Sequence, residues 1–324
     1  MATNFKTTTQ GGQREDLANW ISNISRDMVP FCSSIGRGKA SAVLHEWSTD
    51  TLEAAAVQAE VEGSAFSESA SPVITRLTNR CQIMTKGIRV SGTMETVDKV
   101  GRKSEFKYQT EKRGKEMARD LEVTMLSGQL SDDSATGAGK VIATARTMGA
   151  YQSYSTIAVV AGTAAVTSGT TGLGNGSNIA VAQTNTNVAV TLADINETLR
   201  LVNGVTSVAP NKIMMSTTNK VRFSDLMTGT TNVRRNIDEK GKLKQSVDLY
   251  ESDFGDVELV HNYLMGNDAV FIYDPSTMSL NTLRPLHFRN IAEDGDSLRS
   301  YLVQELTFEA KSPTGNAVIL DILA

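Results

Sequence analysis

From Thr96 to Gly128 the chain runs TVDKVGRKSEFKYQTEKRGKEMARDLEVTMLSG, a stretch without proline. From Glu105 to Leu126 nearly every residue is a good helix former, Gly114 excepted. Read as one helix of about 30 residues, it predicts a rod of roughly 45 Å at 1.5 Å rise per residue. Phe106, Met117, Leu121 and Met125 fall near one face, with Ala118 beside them, and charges fill the remainder. Lys107 with Glu111, Lys112 with Glu116, and Lys115 and Arg119 with Asp120 stand within a turn of each other. So thin an apolar stripe cannot be buried on all sides. The rod is expected to lie across one face of a sheet, its outer side wet or against another subunit.

The rest of the chain must supply that sheet. Its 324 residues allow two compact units or one domain with extensions, and 40% hydrophobic with 21% charged residues excludes no soluble class. A net charge of −4 argues against a protein whose main task is to coat nucleic acid. Cys32 and Cys81 have no CxxC spacing, so a disulfide framework is not expected and a reducing cytoplasm is the default place of synthesis. The first residues carry no apolar signal core, and no run reaches bilayer length, so no membrane role is expected.

Ahead of the rod, Leu17, Trp20, Ile21, Ile24 and Met28 recur at helical spacing, and Pro30 reads as the stop of that helix. An amphipathic turn so far ahead of any core suggests an arm that docks on something, or a helix packed on its own domain. Two extended segments follow, Val43–Leu52 and Thr78–Thr93. Between them Glu53–Pro72 is rich in Ala, Glu, Ser and Gly, with little to fill a core. That pattern predicts a protruding two-stranded loop, and a lone hairpin is marginal in water, so it is expected to rest on a neighbouring subunit.

Beyond the rod, residues 131–190 are dominated by Thr, Ala, Gly, Ser, Val and Asn; Thr156–Ala161 and Val188–Leu192 read as strands. Thr191 with Asp194 has capping-box spacing and opens a helix that closes at Gly204. Lys212–Ser216 reads as a buried strand, followed by a short helix through Val221 and Leu226. A basic loop covers 228–245, a hairpin turns at Asp253–Asp256, and Ala269–Tyr273 is another core strand. The last two strands, Arg299–Ala310 and Ala317–Leu323, are expected to face each other across a turn-rich loop. The fold class is mixed α+β.

No catalytic constellation emerges. Ser33–Ala40 resembles a phosphate loop, but the GxxxxGK[ST] spacing is missing and Ala40 stands where a hydroxyl belongs. Glycines 172, 174 and 176 are not GxGxxG. His45, His261 and His287 sit in three separate extended segments, which favours structural histidines over a metal set or acid–base pair. Asp294 and Asp296 lie in an acidic turn with too few oxygens at fixed spacing for calcium. No enzyme activity, cofactor or metal is expected. Lys99–Glu122 holds eight basic against five acidic residues, and Arg234, Arg235, Lys240, Lys242 and Lys244 form a second basic patch. Neither carries the aromatics of a single-strand binder, so charge pairing between subunits is the preferred account.

The order of parts, together with a set of short phrases, resembles the tailed-phage major capsid proteins of the Hong Kong 97-type fold, more narrowly the SU10-type family. The phrases are Glu62–Gly63, Arg80–Gln82 with Val90–Thr93, Tyr108–Lys112 running to Arg119–Glu122, Tyr250–Gly255, Leu283–Pro285 and Gly295–Ser297. They span about residues 45 to 320 and are weakest in 150–190. The resemblance implies an N-terminal arm at 1–48, an E-loop at 49–96 and a P-domain with the spine helix at 97–150. It further implies a β-rich stretch at 151–189, an A-domain at 190–275 and a return to the P-domain at 276–324. It implies hexamers and pentamers closing an icosahedral or elongated head around double-stranded DNA, with portal and scaffold or decoration proteins as further partners. The head would form in the host bacterial cytoplasm and end in the virion. Subunit contacts would then fall to Leu17, Trp20, Ile21 and Ile24 of the arm, to Trp47, Glu53, Glu60, Glu62, Lys86 and Arg89, and to Arg102, Arg113, Arg119, Arg234 and Arg235. Some relatives weld their shells through Lys–Asn isopeptide bonds; Lys86 is the donor to consider, without a recognisable acceptor or catalytic carboxylate. An encapsulin-like compartment shell shares the fold, and a tail or decoration protein would explain the β-rich middle but not the charged rod.

Overall fold

The computed structural model describes residues 28–53, 55–63, 65, 72–99, 101–132, 145–161, 165–166, 174–179, 188–205, 209–228, 248–292, 295–320 and 322. In chain order they form α1 (Pro30–Ser34), β1 (Gly36–Lys39), β2 (Leu44–Thr49), β3 (Thr75–Arg80), β4 (Gln82–Ser91), α2 (Gly92–Thr96) and α3 (Glu105–Leu126). Next come β5 (Ile157–Val160), β6 (Ala165–Val166), α4 (Leu192–Val205), β7 (Lys212–Met215) and α5 (Thr217–Thr228). The chain finishes with β8 (Leu249–Ser252), β9 (Gly255–His261), β10 (Val270–Tyr273), β11 (Met278–Asn290), β12 (Ser297–Ala310) and β13 (Ala317–Leu320). None of the described helices is long and apolar enough to cross a membrane.

Two sheets share one core. The first has strand order β1-β11-β12-β4, and α3 lies across it, with Met117 packed on Ile88, Val90 and Leu302 and Phe106 at the edge. The second has order β6-β5-β13-β10-β7-β9-β8. Its central strands are near-continuous apolar runs, AVIL in β13, VFIY in β10 and IAVV in β5, as strands covered on both faces require. One face packs Phe271, Tyr273, Val318 and Leu320 with Phe31, Leu121, Met125, Tyr151, Leu306 and Phe308, which joins the two sheets and the rod. The alternate residues Val270, Ile272, Ala317 and Ile319 pack with Ile195, Leu199 and Val202 of α4 and Phe223 of α5.

The expected stripe is therefore the buried face of the rod, but the rod is shorter than its composition suggests. α3 has 22 residues, roughly 33 Å at 1.5 Å each. Its start is fixed by acceptors. Ser104 Oγ takes the Lys107 N–H at 3.3 Å, and the Glu95 carboxylate, arriving from α2, takes those of Glu105 at 2.9 Å and Phe106 at 3.2 Å. Once these first N–H groups are satisfied, nothing drives the helix further back.

Two other expectations change. The second extended segment divides at Cys81: Thr75–Arg80 pairs with β2, while Gln82–Ser91 joins β12 in the body. The two last strands do not face each other, since β12 lies between β11 and β4, and β13 between β10 and β5. Pro30 opens a helix, standing at its first position where a missing N–H costs nothing, while residues 17–27 of the helix it was expected to close lie outside the described residues. The phosphate-loop resemblance dissolves too, because Gly36–Lys39 is a strand parallel to β11.

Other local signals hold. Asp194 N–H donates to Thr191 Oγ1 at 3.2 Å and Thr191 N–H donates to the Asp194 carboxylate at 2.9 Å, the reciprocal capping box. β8 and β9 form the expected hairpin, turning at Gly255, whose φ of 126° favours glycine. The strand read at Thr156–Ala161 is β5, fully buried inside the larger sheet. At Val188 only a single parallel bridge to Ile322 forms before α4 begins. The basic loop lies outside the described residues from 229 to 247.

Candidate functional site

The strands β2 and β3 form a two-stranded arm whose register runs from Leu44 opposite Arg80 to Thr49 opposite Thr75. Its root is fastened to the body by four polar side chains. Asn79 is fully buried and donates to the carbonyls of Phe308 at 2.7 Å and Gly149 at 3.2 Å, while its Oδ1 accepts the Gly149 N–H at 2.8 Å. Tyr154 donates its hydroxyl to the Thr78 carbonyl at 2.7 Å. Trp47 donates its indole N–H to the Ala310 carbonyl at 2.9 Å and stacks beside Tyr154 at 5.6 Å between ring centroids. His45 Nε2 lies 3.1 Å from Glu309, and Asn281 donates to the same carboxylate. Burial pushes the Glu309 carboxyl up, but the hydrogen bonds from His45 and Asn281 outweigh it and leave it below the usual carboxylate value. His45 is thus a hydrogen-bonded structural histidine, as its isolation in the sequence suggests.

Beyond Thr49 the character reverses. Leu52, Val57, Val61, Val73 and Ile74 are all exposed, from 61% at Ile74 to 103% at Val57. Apolar side chains held this far from any described core, on a loop whose base is fastened, form a contact surface that the described residues of its own chain do not fill.

The short helix α1 is fastened separately. Glu122 is fully buried on α3 and accepts the N–H groups of Phe31 at 2.7 Å and Cys32 at 2.8 Å, the opening turn of α1. Asn262, in the loop after β9, donates to the same carboxylate at 2.6 Å. One carboxylate therefore ties α1, the rod and the seven-stranded sheet. Nothing in the sequence pattern marks these contacts, since the partners lie 90 and 140 residues away. Asn79 is equally invisible, because its carbonyl partner on Phe308 is 229 residues distant.

The residues expected at subunit contacts are scattered over these parts. Glu53, Glu60 and Glu62 are exposed on the loop. Trp47 is half-buried and engaged with its own chain. Lys86 belongs to β4, not to the protruding loop, and pairs with Asp120 of α3 at 2.5 Å. Arg89 is exposed on the same strand, its Nε donating to Ser297 Oγ at 3.3 Å. Arg102 pairs with Glu105 and lies over the Tyr108 ring at 5.1 Å. Arg113 pairs with Glu116 at 2.5 Å, an i,i+3 pair. Arg119 is half-buried on α3. Leu17, Trp20, Ile21, Ile24, Arg234 and Arg235 lie outside the described residues. Among the described residues no group of three His, Cys, Asp or Glu side chains gathers to hold a metal ion.

Comparison with known proteins bears directly on this arrangement. The sequence profile of the SU10 major capsid protein family matches residues 1–323. The major capsid protein of Escherichia phage Phieco32 is 29% identical over 339 residues, covering 97% of this chain and 96% of its own. Among solved structures, the cyanophage A-1(L) capsid asymmetric unit superposes with a TM-score of 0.67 at 10% identity, over 99% of this chain and 100% of that one. The capsid of the native GTA particle gives 0.63 at 13% identity, over 100% of both chains. At such identities the structures speak for the fold, and the profile speaks for the family. With its α+β Hong Kong 97-type capsid fold, the chain belongs to the SU10 major capsid protein family and is a structural protein of a bacteriophage capsid.

Proposed function

We propose that the chain is the repeating shell subunit, assembling as hexamers and pentamers into an icosahedral or elongated head that encloses double-stranded DNA. The observation that carries this reading is the arm: a fastened root at Asn79, Tyr154, Trp47 and His45, and a loop that holds Leu52, Val57, Val61, Val73 and Ile74 in solvent. In this reading the arm and loop are the E-loop, and they reach a neighbouring subunit. The four-stranded sheet with α3 is the P-domain. The seven-stranded sheet with α4 and α5 is the A-domain, and it takes in β5 and β13 as well as residues 190–275. The chain acts by contact and not by catalysis, and the head is put together in the host cytoplasm. Many modest contacts, each made by an element without a core of its own, add by multivalency and can be remade as a shell changes shape.

The test is negative-stain electron microscopy with analytical sedimentation of the recombinant chain, with and without a crowding agent. Closed shells, tubes or six-fold rings are the expected result. A stable monomer or dimer under every condition, also after co-expression with the neighbouring head genes, would sink the proposal.

A further inference from the structure

At the root of the arm, His45, Ser279, Asn281 and Glu309 form a polar cluster in which one hydrogen-bond pattern excludes another. Ser279 and Asn281 are buried on β11, and the side chains of His45 and Glu309 are 18% and 13% exposed. Glu309 Oε2 is the hub: it accepts from Asn281 Nδ2, and lies 3.1 Å from His45 Nε2 and 3.3 Å from Ser279 Oγ. Asn281 Nδ2 also lies 2.8 Å from His45 Nε2, while Asn281 Oδ1 accepts from Ser279 Oγ at 3.1 Å. An amide nitrogen is only a donor, so Nε2 accepts from it, which leaves the ring neutral with its proton on Nδ1. In this pattern Asn281 gives one N–H to Glu309 and the other to His45, and β2 reaches the carboxylate only through the amide. Gly38 of β1 leaves the amide its place, since a Cβ there would collide with Asn281 Oδ1.

A proton on Nε2 cannot coexist with that pattern, because two N–H groups would then face each other. A second pattern satisfies every group. Turned over, the Asn281 amide presents Oδ1 to His45 and Nδ2 to Ser279; Ser279 Oγ gives its hydrogen to Glu309, and the charged ring donates to the same carboxylate. A cation on the arm then stands against an anion on β12. We propose that these four side chains are a proton-operated latch: uptake of one solvent proton by His45 turns the Asn281 amide and replaces the bridged contact of the arm with a direct ion pair to Glu309. Histidine is the side chain type whose charge changes in mild acid, where surface carboxylates stay ionised. The other charge acting on Glu309 is Lys311, just beyond β12; Asn79, opposite His45 on β3, and the Trp47 ring beside it are uncharged. Among the described residues neither His45 nor Glu309 has a second ion-pair partner. The latch resides in the single subunit, so it stands apart from the shell-subunit reading, which supplies only its use. The base of the protruding loop is held more firmly in mild acid than at neutral pH, until Glu309 itself takes a proton.

Hydrogen exchange of the dispersed subunit at about pH 8 and about pH 6, corrected for intrinsic rates, tests the latch. The paired amides of β2 and β3 are expected to exchange about threefold more slowly at the lower pH. That step is expected to vanish in His45→Gln and in Glu309→Gln, and to persist in His261→Gln and His287→Gln, which alter the two other histidines of the chain. Nitrogen-15 NMR of histidine-labelled protein is expected to find Nε2 of His45 without a proton at the higher pH and to see it gain one as exchange slows. Equal protection at both pH values, a step that survives His45→Gln, or a proton already on Nε2 at the higher pH would each overturn the latch. The NMR measurement needs no substitution, so it decides the question even where a variant fails to fold. Normal shells from a chain without the pH step would leave the shell-subunit reading intact, and failure to assemble would leave the latch untouched.

Discussion

Glu122 shows how one side chain can decide where three elements sit. Its two oxygens satisfy two backbone N–H groups and one amide in a site closed to water. In Glu122→Gln an NH2 replaces one oxygen and faces a donor, leaving a buried N–H without an acceptor. The expected loss is about 2 kcal/mol of subunit stability, read by urea denaturation of the dispersed protein. Cys32 lies in the same site, and burial, reinforced by the Glu122 charge, raises its thiol far above the ordinary range. Cys81 is pushed up to about 11, by burial first and then by Glu305. Glu309 at the arm's root gives a pH prediction. Its folded-state pKa lies below its unfolded value, so its contribution is present above the unfolded pKa and is lost as pH falls through the folded one. Acid should therefore weaken the fold progressively below about pH 5. Glu309→Gln should flatten that limb in a series of thermal melts from neutral to acid pH, while an unchanged limb would show that other carboxylates set it.

At the scale of elements, the rod was legible where it depends on neighbours three and four residues away. Phe106, Met117, Leu121 and Met125 were picked out by period alone, and they are the face that packs. The Thr191–Asp194 box was likewise readable, because both halves of the motif are local. The start of α3 was not, since the Glu95 carboxylate that caps it returns from a separate helix. Gly114 offers a clean test of the rod. A Cβ built there meets nothing within 4 Å, so Gly114→Ala changes backbone entropy and little else. The expected gain is about 0.5–1 kcal/mol, seen as a higher urea midpoint with an unchanged slope. A loss would mean that the rod's outer face at this point is already committed to a close contact.

For the whole molecule, the division of labour between body and extensions makes its own prediction. The arm's root is fastened by side chains at or before Thr49 and after Thr75, and no described core residue lies between them. Replacing residues 51–73 with a short glycine-rich turn is therefore expected to leave the subunit's melting temperature within a few degrees of the parent while abolishing closed shells, scored by sedimentation and microscopy. Shells of normal yield from the shortened chain would place the assembly contacts elsewhere.

The sequence by itself determined the α+β class, the rod and its buried face, the capped α4, the β8–β9 hairpin and the coreless loop. All of these follow from interactions within a few residues, or from a lack of apolar groups that no tertiary contact can repair. Only the tertiary structure decided that Cys81 divides one extended segment between two sheets, that β12 and β13 part company, and that Lys86 faces the rod. It alone revealed the buried contacts of Asn79 and Glu122. Strand order and buried polar contacts join residues tens to hundreds of positions apart, and their energies depend on water being excluded by parts of the chain that no local pattern records.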